Sequence, residues 1–243
     1  MPWHDLWSVL IGRAGQTGTR FQDVEEAFLE FMQAVNGLRR KGEITAGQYR
    51  QKGNWWRDLM VALVKARCGV VMPERRVEGL TDVHSLDMVY PDPLVEMKVP
   101  LIVVEAKMLG SPAHIEPDGT RRPERGGAVD LDKRLKEVKY TPIDLRLKHT
   151  GPGMSDWEEW NRNAIPRFYS LWAFRVASWE TQAVQTRIVD KMVRLARYYN
   201  TGVGFYLYDE DESGQYHRFP DPIPPGYTID EVIEAICSDV KNC

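Results

Sequence analysis

Cysteine is scarce in this sequence: three residues in 243, Cys68, Cys237 and Cys243, with no Cys-x-x-Cys spacing among them. So sparse and odd a set argues against a disulfide framework or a zinc ribbon, and for a reducing cytoplasm. Long apolar runs are missing as well. The aliphatic stretches are only a few residues long, far short of a membrane span. The opening MPWHDLWSVL has no basic segment ahead of an apolar one, so no signal peptide is expected. No internal repeat is present. Nor does charge of one sign dominate: 32 Lys and Arg stand against 35 Asp and Glu, a net −3. That balance does not announce a nucleic-acid binder, although a local basic face would suffice for one.

What the sequence does contain is ordinary in bulk, 43% hydrophobic and 28% charged, and long enough for one large domain or a domain with an inserted or appended lobe. Tryptophan is abundant, and Trp157, Trp160, Trp172 and Trp179 fall in one stretch that suits core and lobe packing. TRFQDVEEAFLEFMQAV carries Phe21, Val24, Phe28, Phe31 and Val35 at helical spacing, with Thr19 and Gln22 as a capping box. Thr45 and Gln48 cap a second helical stretch, bent at Gly53, and NWWRDLMVALVKARCG continues it until Gly69. TQAVQTRIVDKMVRLARYYN is a strong amphipathic helix, and Thr228 with Glu231 caps a last one, IDEVIEAICSDV.

Between these helices the period changes to two. GVVMPERRVEG is a candidate strand interrupted by Pro73. HSLDMVY alternates Leu86, Met88 and Tyr90 with Asp87 and Val89, and VPLIVVEAKM is the clearest strand of all. YSLWAFRVASW reads as a strand or the approach to a helix, and VGFYLYD as a buried strand. The order helix, three strands, helix, strand, decorated at both ends, predicts a mixed α/β core. We divide it as an N-terminal helical segment over 1–50, a core over 51–210 interrupted by a polar insertion at about 109–170, and a C-terminal turn and helix over 211–243.

The end of the clearest strand is unusual. In a strand, residues two apart share a face, so Glu105 and Lys107 lie with Leu101 and Val103, opposite Ile102, Val104, Ala106 and Met108. A carboxylate beside an ammonium at a sheet's end suits hydrolysis: one can hold a hard divalent cation, the other can orient water and balance phosphate charge. Antiparallel pairing of the two strands would bring Asp87 to Glu105. An acid-x-Lys tripeptide alone is weak, with about one expected by chance at this length. Four occur, at Glu96–Lys98, Glu105–Lys107, Glu137–Lys139 and Asp239–Lys241. Only the second closes an apolar strand preceded by another that bears an aspartate. Glu137 and Asp239 lie in helical patterns, and three residues between Asp92 and Glu96 are too few for two paired strands.

SLDMVY followed by LIVVEAK resembles the PD-(D/E)xK nuclease superfamily, the restriction-endonuclease-like fold. The resemblance spans roughly residues 50–208, its firm part about twenty residues. It implies magnesium held by Asp87, Glu105 and the main-chain carbonyl of Ala106, with Lys107 assisting attack of water on a DNA phosphodiester to leave a 5′-phosphate and a 3′-hydroxyl. Leu86 stands where the nominal proline would be. A further acid from the preceding helix would be Asp58, with Glu25 as the alternative. By the same resemblance we expect an endonuclease of double-stranded DNA, a homodimer, in the role of a type II restriction enzyme with a methyltransferase encoded nearby. Repair or junction resolution, or an inactive DNA-binding protein of the same fold, are the alternatives.

From Arg121 to Lys148 nine Lys and Arg face five Asp and Glu. Arg121, Arg122, Arg125, Lys133 and Arg134 are therefore candidate DNA contacts, as are Gln185 and Arg187 on the amphipathic helix. His84 reads as a loop residue, and His114, His149 and His217 as surface residues without metal-ligand spacing.

Overall fold

Runs that are apolar on both faces form the centre of the molecule. A computed structural model describes residues 2–96, 99–116, 118–152, 156–180, 182–219 and 223–243. Strand β4 (Ile102–Leu109) is parallel to β7 (Arg167–Arg175), which is parallel to β8 (Gly202–Glu210). Short antiparallel strands finish the edges, β3 (Met88–Tyr90) beside β4 and β9 (Tyr216–Arg218) beside β8. This five-stranded mixed sheet has helices on both faces, as strands buried on two sides require.

On one face, Ile102, Val104, Ala106 and Met108 of β4 join Leu171 and Tyr206 against four helices: α1 (Trp3–Ala14), α2 (Phe21–Arg40), α4 (Lys52–Cys68) and the C-terminal α9 (Ile229–Lys241). Short α3 (Ala46–Arg50) leads into α4, and the break falls at Gln51 rather than at Gly53. Trp56 is buried here, and its indole N–H donates to the Leu171 carbonyl at 2.9 Å, tying α4 to the sheet's central strand. On the other face, Val103, Phe168, Trp172, Phe174 and Phe205 meet α6 (Leu131–Thr150) and α8 (Gln182–Tyr198). Ile188, Met192 and Leu195 on α8 are buried as their spacing predicts. Trp172 is the buried member of the tryptophan-rich stretch, whereas Trp157, on α7 (Trp157–Asn163), and Trp179 are exposed.

Several expectations are corrected. Within the stretch read as a polar insertion, the helix expected around AVDLDKRLKEV forms but runs on to Thr150, and the strand reading of YSLWAFRVASW holds, that strand starting at Arg167 and lying in the middle of the sheet. The connection after β4 therefore runs through α6, and the strongly amphipathic helix α8 makes the next crossover. Thr19 does not cap α2: its hydroxyl bonds the Arg13 carbonyl, and Asp23 accepts from the Arg20 N–H at the helix start. The caps at Thr45 and Thr228 form as expected. HSLDMVY is not one strand. It splits into β2 (Val83–Leu86) and β3 at Asp87, so Leu86 packs with Val89 on the α6 side while Met88 packs on the α4 side.

Strand β2 pairs with β1 (Arg75–Glu78), which begins after Pro73, in a separate hairpin. That hairpin is clamped by buried Asp144 of α6. Its carboxylate accepts from Thr81 N–H at 3.0 Å, Thr81 hydroxyl at 2.6 Å and Asp82 N–H at 3.2 Å, and lies 2.8 Å from His84 Nε2. His84 is thus a strand residue with a carboxylate partner, not a loop residue. Gly79 is required in the turn, because a Cβ there would lie 2.0 Å from Asp144 Oδ2. Contrary to the expectation from cysteine count, Cys68 at the end of α4 and Cys237 in α9 form a disulfide, leaving Cys243 free. Among the described residues no helix is long and apolar enough to cross a membrane.

Candidate functional site

The two-residue period of β4 sends Glu105 and Lys107 to the α6 side of the sheet, with Val103 and Leu109. Antiparallel register pairs Met88 with Val104, which brings Asp87 opposite Glu105. There the chain leaves the β3 ladder, and the Asp87 side chain takes over as acceptor: Oδ2 receives the Ala106 N–H at 2.8 Å. Because the N–H and C=O of one strand residue point the same way, the Ala106 carbonyl is directed to this same margin. Lys107 Nζ bonds Glu105 Oε2 and lies 3.7 Å from Asp87 Oδ2. Glu105 is nearly enclosed, with 8% of its side chain exposed, against 21% for Asp87 and 23% for Lys107.

Burial pushes the Glu105 carboxyl up, the Lys107 ammonium offsets part of this, and the Asp87 charge adds to it. Burial works against the Lys107 ammonium, but the charges of Glu105 and Asp87 outweigh it and hold it above the usual lysine range. Two carboxylates thus share one cation. Among the described residues no three His, Cys, Asp or Glu converge as a metal cluster. The donors present are nevertheless all oxygen: two carboxylates and a carbonyl held together against their mutual repulsion. That set fits Mg²⁺, which takes one or two carboxylates and completes its shell with water and phosphate oxygens.

Asp58 is not gathered into this cluster. It sits on the exposed side of α4, where Arg57 Nε and Nη2 hold its Oδ1 at 3.0 and 2.9 Å. The same Arg57 reaches Glu74 at 2.6 Å and feels the charge of Asp87. Glu25 lies across the sheet beside Tyr206. In the rival Glu96–Lys98 motif, Glu96 ends the short helix α5 (Pro93–Glu96), and Lys98 lies outside the described residues. Glu137 is paired with Arg134 on α6. Asp239 is buried rather than solvated, bound to Arg167 and the Tyr169 hydroxyl.

Beside the cluster a groove of about 320 Å³ runs between the start of α4 and α6, bordered by Asp87, Lys107, Asn54, Arg50, Lys52 and Arg134. It continues past Gly110 into a hollow of about 350 Å³ bordered by Arg125, Asp130 and His114. Of the basic residues singled out in the sequence, Arg134 and Arg125 border these spaces, Arg125 paired with Asp130 at 2.7 Å. Arg121 and Arg122 are exposed on the short strand β6 (Arg121–Arg122), which pairs with β5 (His114–Ile115), and Lys133 is exposed on α6. Arg187 is exposed and bound to Asp132. Gln185 is buried, its amide donating to the Glu180 carbonyl, and so is closed to a ligand. His114 is no free surface residue either: its ring is held by Glu116 and the Pro112 carbonyl. Nothing in the sequence marks Arg50 and Lys52 for this place, since only the packing of α4 across the end of β4 brings them here.

Compared with protein-family models, curated proteins and solved structures, the chain gives no significant match to any.

Proposed function

We propose that the chain is a magnesium-dependent endonuclease of double-stranded DNA, related to the PD-(D/E)xK nucleases. The observation that carries this reading is the convergence of Asp87, Glu105 and Lys107 around the Ala106 backbone at the open end of an otherwise apolar strand. An otherwise apolar sheet tolerates three titratable side chains gathered at one margin only when something offsets their desolvation. A functional site gives a reason to keep them.

In this reading Asp87, Glu105 and the Ala106 carbonyl would hold a magnesium ion, which when bound would supply Lewis acidity toward a phosphodiester. The Ala106 N–H orients the Asp87 carboxylate, so that this ligand is set before substrate arrives. Glu105, almost closed off from solvent, fixes the Lys107 ammonium. Lys107, more open, donates to a phosphate oxygen or to the attacking water and counters negative charge developing at phosphorus. A single cluster addresses a single strand, so cleavage of both strands calls for two copies, and a homodimer follows by analogy. Sequence-specific restriction, with a partner methyltransferase, is the role we assign.

Purified protein incubated with plasmid and phage DNA, with magnesium or EDTA, tests this beside Lys107→Ala. Discrete magnesium-dependent bands lost in the variant are expected. Intact linear, supercoiled, branched and methylated DNA would overturn it.

A further inference from the structure

Lys52, the first residue of α4, is a cation without a carboxylate. Its ammonium bonds the Gly110 carbonyl and lies 5.0 Å over the Tyr49 ring, and among the described residues no acid reaches it as an ion pair. Asp130, the acid whose charge it feels, is engaged by Arg125. Arg125 and Arg175 oppose it. Burial accordingly pulls Lys52 down to about 7. The Gly110 carbonyl is turned by a backbone only glycine adopts easily: φ is +96°, and a Cβ would meet Arg175 at 2.8 Å. The chain therefore uses a special residue to hold an uncompensated ammonium in place.

Its position gives that ammonium a purpose. Lys52 borders both the groove that holds Asp87 and Lys107 and the hollow beyond Gly110, as do Arg50 and Arg134. Among the described residues Arg50 is exposed and has no ion pair, while Arg134 is paired with Glu137 one turn along α6. Three cations thus follow one path leading away from the carboxylates.

We propose that Lys52, flanked by Arg50 and Arg134, binds a backbone phosphate of the nucleic-acid strand next to the one presented to Asp87, Glu105 and Lys107. This rests on the nuclease reading. A phosphate there supplies the negative charge that the fold withholds, and it makes no base contact, so its contribution is independent of sequence. Lys52 is a binding and positioning residue, not a catalytic one.

The test is binding of a fluorescent duplex by the full chain in EDTA, where cleavage cannot interfere, over a salt series at pH 7.5 and 9. Lys52→Met is expected to bind about fivefold more weakly on every sequence, with a salt slope shallower by about one phosphate contact, while Lys52→Arg keeps the slope. A bound phosphate favours the ammonium over the amine, so wild-type affinity should fall as pH rises from 7.5 to 9 and the charged form becomes scarcer. Lys52→Arg should not show that fall. The other charged and titratable groups facing Lys52 are His114, Asp130, Arg125 and Arg175, and Lys52→Arg retains all four, so the difference between it and wild type isolates Lys52. Loss of Lys52 removes an ammonium the fold holds at a cost, so the Met variant should fold at least as well as wild type, which a melting curve checks. Unchanged affinity and slope in Lys52→Met, or a pH fall that persists in Lys52→Arg, overturns the assignment while leaving the nuclease reading standing. A wild-type protein that binds neither duplex nor single strand at low salt overturns both.

Discussion

The Asp87 carboxylate accepts the Ala106 N–H at 2.8 Å at the point where the β3 ladder stops, so one side chain both ends a strand pairing and enters the charged cluster. The two roles separate by substitution. Asp87→Asn keeps an acceptor for the amide and loses the charge. Its melting temperature should stay near wild type while magnesium-dependent cleavage falls at least about a hundredfold. Asp87→Ala leaves the amide unpaired and should cost a further ~1–2 kcal/mol in urea unfolding. Equal stability of the two variants would show the hydrogen bond to be idle.

Divalent cations offer a test that needs no DNA. At a hundred times the dissociation constant, a cation that binds only the folded chain adds about 2.7 kcal/mol. For a chain of this size that means a melting point about 5–10 °C higher, reversed by EDTA. Asp87→Asn and Glu105→Gln should respond little. A rise of the same size in both variants would point to binding elsewhere.

How far these features can be read from the sequence depends on how local they are. The register of β4 follows from period two within eight residues, and the caps at Thr45 and Thr228 from three-residue spacings, so both are legible. Strand β7 is buried along nearly its whole length, and FYSLWAF accordingly lacks the alternation that separates strand from helix. The first turns of α6 are legible in AVDLDKRLKEV, whereas Pro142 hides its continuation to Thr150 from a propensity reading. The split at Asp87 leaves no trace in HSLDMVY, because a side chain replacing a ladder carbonyl looks like any polar strand residue. Lys52 and Gly110 are 58 positions apart, and only tertiary packing joins them.

Asp144 should govern acid stability. Burial works against its carboxylate, but the bonds from Thr81 and His84 outweigh this and hold it below the usual aspartate range. With a folded value below the unfolded one, its stabilisation is present above about pH 4 and is lost as pH falls through the folded value. Asp144→Ala should cost about 3 kcal/mol at pH 7, with the gap to wild type narrowing toward pH 3. A gap that is constant with pH would assign the loss to packing rather than to the charge.

The link between Cys68 and Cys237 closes a loop with a sequence separation of 169. Under non-reducing denaturation a thiol reagent should label one cysteine, Cys243, and reductant should raise this to three. Reduction, or Cys68→Ser, should lower stability by about 2–5 kcal/mol. Three labelled thiols without reductant would refute the link.

Asp87 and Ala106 are nineteen residues apart, whereas the sheet's parallel partners and the α4 wall come from far along the chain. Short-range pairings form early because little chain entropy is lost in closing them, and long-range parallel pairings follow slowly. The two carboxylates can therefore meet in a nascent hairpin before the groove around them exists. A slow-folding chain would acquire its charged turn first and the walls of the groove beside it last.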